Sequence, residues 1–200
     1  MANLLGPPVF NQIGPASGNP DESPSTGLGI RPSYKSGVHH QGWSTAYFSD
    51  LRERAWKQYC TTAGGTPRFI YVSRSDATHR NVRNEDEVCA VLSALGFEIV
   101  CPGQMSFEEQ VNIFSEARLI IGAHGAGMTN VLWSRCADVV ELMPSNLQDA
   151  DYRFLCNIIG HRHYTLLARH FEHPSGWAFG DIEIDVKALF SVVRTVMTDQ

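Results

Sequence analysis

Three short segments of the chain combine residue types that suit the binding of a phosphate-bearing ligand. The first, residues 73–83, carries three arginines and a histidine, with Asp76 as its one acid. Because the chain has a net charge of −5, such a group of cations indicates an anion site. Guanidinium groups suit phosphate, since they donate hydrogen bonds in a planar fork. The alternative for this segment, which we call the arginine loop, is a solvated surface whose arginines pair with the acids at 85–87.

The second segment, residues 122–130, has the sequence Gly-Ala-His-Gly-Ala-Gly-Met-Thr-Asn, and we call it the glycine turn. Small residues let a ligand approach the backbone, and free N–H groups at the start of a following helix attract phosphate. His124 sits among the glycines, where it can donate a hydrogen bond to a diphosphate oxygen. The alternative is a tight turn that needs glycine only for positive φ.

The third segment is the apolar run 139–143, which contains Glu141 and is closed by Pro144. A carboxylate at the carboxyl end of a strand can accept hydrogen bonds from both ribose hydroxyls, and we predict this role for Glu141. The alternative is an acid that caps the next helix. Together the three segments predict a nucleotide site with diphosphate neutralisation, a phosphate turn and a ribose acceptor.

These segments follow or lie within short apolar runs that alternate with amphipathic stretches. The runs predict strands at 69–72, 97–101, 119–121, 139–142 and 164–167. Helices are predicted at 45–60, after Asn84, after Ser106, near 128–134, near 148–159 and at 185–198. Asn84 with Glu87, and Ser106 with Glu109, have the spacing of capping boxes. The pattern predicts a Rossmann-like α/β fold: a parallel sheet with helices on both faces and ligands at the carboxyl ends of the strands.

Composition divides the chain into two parts. Residues 1–42 hold seven of the 17 glycines and six of the 10 prolines, which predicts a Gly/Pro-rich arm or linker that is partly ordered at most. Residues 43–200 are then predicted to form one Rossmann-like domain. The overall content of 43% hydrophobic and 18% charged residues is ordinary for a globular protein.

Several classes of partner are disfavoured. The net charge of −5 argues against nucleic acid and anionic membranes, and no apolar run approaches the roughly 20 residues of a membrane helix. The first residues do not resemble a targeting signal, and the five cysteines include no C-x-x-C pair, so we predict a cytoplasmic protein. The histidines at 161, 163, 170 and 173 lack the spacing of a metal site, so we expect structural or exposed roles for them and no metal.

The motifs resemble glycosyltransferase family 61 over about residues 45–170, in order and in spacing. The resemblance rests on segments 69–74, 83–85, 95–97, 106–110, 122–130 and 140–144. It implies the C-terminal, nucleotide-sugar-binding lobe of a GT-B enzyme that inverts the anomeric carbon without an obligatory metal or other cofactor. The implied substrates are a nucleoside diphosphate sugar and a glycan or polysaccharide acceptor, as in capsule or surface polysaccharide synthesis.

The resemblance also implies roles for individual residues. Arg74 and His124 would contact the diphosphate and stabilise the leaving group, and are the expected catalytic pair. The donor would also be bound by Gly125, Ala126, Gly127, Asn130 as the residue that steadies the turn, and Glu141 at the ribose. Arg83, Asn84 and Glu85 match a family motif and are assigned to the donor site without individual contacts.

Family members carry an acceptor lobe before this one, whereas here only the arm precedes it. We therefore expect the chain alone to bind a nucleoside diphosphate, to transfer sugar poorly and to self-associate. One alternative is a nucleotide-binding module that lacks its catalytic partner lobe. Another is an NAD(P)-dependent oxidoreductase, because Gly125-Ala-Gly127-Met-Thr-Asn130 approximates G-x-G-x-x-G. Against the latter, Asn130 replaces the third glycine, and the motif follows the third strand instead of the first.

Overall fold

The computed structural model describes residues 45–60, 68–147, 149–174, 176 and 180–198. The predicted arm at 1–42 lies outside the described residues. All the elements that carry the three segments lie inside them.

Six strands form one sheet in the order β2-β1-β3-β4-β5-β6. The first five run parallel, and β6 pairs antiparallel with β5. Their bounds are β1 Arg68–Val72, β2 Phe97–Val100, β3 Ala117–Ala123, β4 Asp138–Pro144, β5 Arg162–His170 and β6 Ile182–Glu183. The predicted parallel α/β sheet is therefore confirmed. Strand β6 was not predicted, because two residues cannot show a periodic pattern.

Within the described ranges, five α-helices and two 3-10 helices precede, connect or follow these strands. The α-helices are α1 Thr45–Tyr59, α2 Glu85–Ala94, α3 Phe107–Ser115, α4 Asp151–Ile159 and α5 Val186–Thr198. The 3-10 helices are Pro102–Gln104 and Ala126–Trp133. Each predicted helix is present with similar bounds, although the one after the glycine turn is 3-10 and starts two residues early.

Helices cover both faces of the sheet, as predicted. Successive residues of β3 point to opposite faces, so Leu119 and Ile121 join one core while Ile120 joins the other. The first core includes α2 and α5, and the second includes α1, α3, α4 and the 3-10 helix that follows the glycine turn. Burial on both faces explains why the strands read as continuous apolar runs.

The two predicted capping boxes have different outcomes. At α3 the box is present: the Glu109 amide donates to Ser106 Oγ at 3.3 Å, and the Ser106 amide donates to Glu109 Oε2 at 2.8 Å. At α2 the prediction is wrong, because the Asn84 side chain makes no cap. Its amide instead donates to Ile184 O at 2.9 Å and accepts from Ile184 N at 3.0 Å. The Asn84 side chain therefore makes a tertiary contact instead of the helix cap that the local spacing predicts.

The strand order places two of the three segments side by side. Strand β1 has β2 on one side and β3 on the other, so the chain changes direction of winding between β1 and β3. The carboxyl ends of two such strands flank a crevice in open α/β sheets. The arginine loop follows β1 and the glycine turn follows β3, so both lie at this crevice.

Candidate functional site

The arginine loop folds so that Arg74 lies against the glycine turn. The Arg74 guanidinium donates to His79 O at 2.9 Å through Nη2 and to Arg80 O at 3.3 Å through Nε. A Cβ atom built on Gly125 would overlap Arg74 Nη1, so the guanidinium packs directly on the backbone of the turn. The two segments therefore form a single surface.

The positive charge on this surface has little compensation. Both recorded acceptors of the Arg74 guanidinium are neutral carbonyl groups. Burial, and then the like charge of Arg80, lower the pKa of Arg74, although Tyr152, Asp76 and Glu85 oppose the shift. A partly buried guanidinium that donates to neutral carbonyl groups and lies beside a second cation is a ready partner for an anion.

Arg80 adds two observations that point the same way. Its Nε is buried and has no hydrogen-bond partner among the described residues. Its backbone lies in the left-handed region at φ 58°, which costs a non-glycine residue on the order of 1 kcal/mol. Such strain commonly occurs at ligand sites. Arg80 belongs to the arginine loop but was not among the predicted site residues.

The glycine turn is held by close packing and two side chains. A Cβ atom on Gly122 would come within 2.6 Å of Met128 Sδ and 2.9 Å of Val72 Cβ, so only glycine fits. Asn130 Nδ2 donates to Gly127 O at 3.2 Å, and the Tyr152 hydroxyl donates to Gly125 O at 2.6 Å. The 3-10 helix Ala126–Trp133 begins here, and the first amides of a helix have no intrahelical acceptor and can bind an anion.

His124 is held from behind by a buried carboxylate. Glu141 Oε1 lies 2.6 Å from His124 Nδ1, and Glu141 Oε2 lies 2.8 Å from His163 Nε2. The Glu141 residue is 1% exposed and His124 is 8% exposed. Burial on its own raises the pKa of Glu141, but hydrogen bonds from both imidazoles outweigh it and hold that pKa below its ordinary value. Glu141 is therefore a carboxylate at neutral pH.

The chain is similar to known proteins in sequence. The family model described as Glycosyltransferase 61 matches residues 30–144, which is more than half of the chain. The chain belongs to glycosyltransferase family 61. It is also 32% identical over 141 residues to the EGF domain-specific O-linked N-acetylglucosamine transferase of Drosophila melanogaster. That alignment covers 63% of this chain and 26% of the relative, so the chain spans about a quarter of that enzyme's length.

The site of this family 61 chain differs from the sequence prediction at Glu141. We placed Glu141 at the carboxyl end of its strand, and that placement is wrong. Strand β4 continues to Pro144 because its last residues still pair with β5, which leaves Glu141 in the middle of the strand opposite Gly122 and Thr165. It does not cap a helix.

The other predicted residues divide into two groups. Arg74, His124, the turn residues 125–127 and Asn130 lie together, and Glu85 joins them by accepting from the Arg74 amide at 3.3 Å. Arg83 instead lies 3.6 Å from Asp181 and stacks on Phe171, and Asn84 is occupied by Ile184. The side chains of Arg83 and Asn84 therefore contact the segment around β6 and not the glycine turn. His163, for which we predicted a structural or exposed role, and Tyr152, which had no predicted role, contact the site from β5 and α4.

The described part of the chain contains neither a metal-binding cluster nor a membrane-spanning helix. No group of three or more His, Cys, Asp and Glu side chains there is arranged to hold a metal ion. No helix there has both the length and the apolar character needed to cross a membrane.

Substituting Gly125 with alanine tests whether Arg74 and the turn act as one surface. The new Cβ would displace the Arg74 guanidinium, which is the mobile end of a side chain. We expect anion affinity to fall by roughly tenfold, the loss of about one charge-assisted hydrogen bond, while the fold remains intact. Gly125 and Gly160 both have a positive φ, 156° and 80°, at which alanine is strained. Gly160→Ala is therefore the matched control, since that glycine ends α4 with nothing within 4 Å of a built Cβ. Equal binding by Gly125→Ala and wild type, measured by calorimetry, would contradict the contact.

Proposed function

We propose that this site binds the diphosphate of a nucleotide sugar, and that the protein acts as an inverting, metal-independent glycosyltransferase with a glycan or polysaccharide acceptor. The observation that carries the proposal is the Arg74 guanidinium packed on the glycine turn, together with the charge of Arg80, whose buried Nε has no hydrogen-bond partner among the described residues. Membership of family 61 supports the reaction class. A GT-B arrangement, with this domain as the donor lobe, is part of the same proposal.

The proposed mechanism places the cationic groups where negative charge develops. The acceptor hydroxyl oxygen bonds to the anomeric carbon from the face opposite the diphosphate, and its proton passes to a base. As that bond forms, the bond between the anomeric carbon and the diphosphate oxygen breaks, and its electron pair passes to the diphosphate. Arg74, Arg80 and His124 would stabilise that charge together with the first amides of the 3-10 helix, Ala126 and Gly127. Preorganised donors of this kind supply the stabilisation that a metal ion supplies elsewhere.

We assign Glu141 to His124 instead of the ribose. Both carboxylate oxygens already accept hydrogen bonds from imidazole nitrogens. Each oxygen could accept a second hydrogen bond, but the side chain is 1% exposed, so a ribose hydroxyl cannot reach it. The pairing of a buried carboxylate with the imidazole of a site histidine orients the ring and fixes which nitrogen faces the ligand.

The proposal also covers the donor sugar, the acceptor and the location of the protein in the cell. The relative's name, EGF domain-specific O-linked N-acetylglucosamine transferase, makes N-acetylglucosamine a first donor sugar to test, and a protein domain an acceptor to set beside polysaccharides. A role in capsule or surface polysaccharide synthesis is the alternative acceptor class. The five free cysteines support a cytoplasmic location.

Calorimetric titration with UDP, GDP, CDP and NAD, in EDTA and then in Mg²⁺, tests the proposal. We expect one nucleoside diphosphate to bind with equal affinity in both conditions, because side chains and amides neutralise the diphosphate. We expect NAD not to bind. A strict metal requirement would overturn the mechanism, and preferential binding of NAD would favour an oxidoreductase. Mass spectrometry of products from the matching nucleotide sugars then tests transfer.

A further inference from the structure

A buried carboxylate joins three neighbouring strands behind the site. Glu141 lies in the middle of β4, His124 follows β3 and His163 lies in β5. An ionised carboxylate can only accept hydrogen bonds, so each facing nitrogen must carry a hydrogen. His124 is therefore protonated at Nδ1, and His163 is protonated at Nε2. Among the described contacts, the hydrogen bond to Glu141 is the one that links His163 to the site.

The consequence for His124 is that Nε2 is the ring atom left for a ligand. Its recorded charged neighbour is Asp149 Oδ2 at 4.0 Å, beyond hydrogen-bond distance. Without a proton, Nε2 presents a lone pair, which repels a diphosphate oxygen. With a proton, it donates a charge-assisted hydrogen bond to the same oxygen. A bound diphosphate therefore selects the doubly protonated ring.

We propose that Glu141, held in place by His163, keeps the Nδ1–H of His124 directed away from the ligand, so that a nucleoside diphosphate binds together with one proton at His124 Nε2. The inference rests on the proposed function, because it requires a diphosphate at this site. It makes His163 a positioning residue and gives the donor site a dependence on pH. The proton comes from solvent and returns there when the nucleotide leaves.

The groups around the ring determine how strongly the proton is held. The titratable and charged groups that face this cluster are Glu141, His163, Asp149, Tyr152, Arg74, Arg80 and Cys156. Burial raises the pKa of the Cys156 thiol to about 12, so it adds no charge at neutral pH.

Calorimetry can count the proton directly. The titrant is the nucleoside diphosphate that binds most tightly among UDP, GDP and CDP, in buffers of different ionisation enthalpy between pH 6 and pH 9. For wild type we expect uptake to approach about one proton at the upper end, where affinity falls up to tenfold per pH unit. Binding without proton uptake would overturn this inference and leave the proposed function standing. Absence of any binding would overturn both.

Two substitutions at His163 separate positioning from packing. The amide of His163→Gln can donate to Glu141 where Nε2 did, so its pH profile should match wild type. In His163→Phe the full charge of Glu141 acts on His124 alone. The pH above which affinity falls should then rise, by up to about one unit. A folded His163→Phe with the wild-type profile would show that His163 only fills space. If His163→Phe does not fold, two measurements still test the inference. It requires uptake of about one proton by wild type and a His163→Gln profile that matches wild type.

Discussion

Replacing Arg74 with alanine is expected to weaken nucleoside diphosphate binding by roughly ten- to a hundredfold. The substitution removes a charge-assisted hydrogen bond to phosphate, worth on the order of 1.5–3 kcal/mol. The unfolding temperature should change little, because burial lowers the pKa of Arg74 and its recorded acceptors are two loop carbonyls. His124→Ala should lower affinity by a similar factor. Calorimetry and thermal unfolding on the same samples measure both quantities.

Two matched variants sharpen the Arg74 experiment. Arg74→Lys keeps the positive charge but loses the planar fork, so its affinity should lie between those of wild type and Arg74→Ala. Arg54→Ala removes an exposed arginine of α1 that pairs with Asp50, and should bind like wild type. If Arg74→Ala instead unfolds while the folded fraction keeps its affinity, the arginine loop is structural and the proposed site is wrong.

Acid should destabilise the protein through His161, well above the pH at which carboxylates titrate. His161 is 7% exposed, and burial followed by the charge of Arg52 lowers its pKa from 6.5 to about 4, although nearby backbone groups oppose the shift. Between these two values the unfolded chain binds the proton and the folded chain does not. Stability is therefore complete above about pH 6.5 and falls by about 3 kcal/mol as the pH drops to about 4.

The variant His161→Leu isolates this effect. It has no group to protonate at this position, so the free energy of unfolding in urea should lose most of its slope between pH 6.5 and pH 4. His170→Gln, which alters a histidine that contacts Ser145 at an exposed position, should keep the wild-type slope. Loss of stability through Glu141 falls at lower pH, because the folded pKa of that carboxyl is depressed. An unchanged slope in His161→Leu would show that the buried ring is already accommodated as a cation.

Most of the fold could be predicted from sequence because a parallel sheet that is covered on both faces forces each strand to be apolar. Strand β3 illustrates the point, since its residues 119–121 are completely buried although they point to opposite sides. The capping box at Ser106 was equally local, as both of its partners lie within one turn. Asn84 fits the same local pattern, but a backbone 100 residues away occupies its amide. Sequence spacing contains no information about such a competitor.

The sequence predicts those parts of the candidate site that depend on the order of elements along the chain. It does not predict the parts that depend on the pairing register between strands. The arginine loop and the glycine turn each follow a strand, and parallel strands bring such segments to one edge of the sheet. The bridge between His124 and His163 requires β4 and β5 to pair with Val139 opposite His163. A shift of one residue would turn Glu141 to the other face. The sequence also gave no sign that Arg80 adopts a left-handed backbone, because arginine has no preference for it.

The end of the arginine loop is attached to a segment that is synthesised about 100 residues later, which determines when this attachment can form during synthesis. Residues 81–84 are joined to residues 181–184 by main-chain hydrogen bonds, by the Asn84 amide and by a bridge between Val82 and Ile182. Closing a loop of 100 residues is slow compared with forming local helices. A nascent chain can therefore assemble β1 to β4 while its arginines are still untethered. These contacts can form only when residue 184 has left the ribosome, so residues 81–84 are fixed after the first four strands.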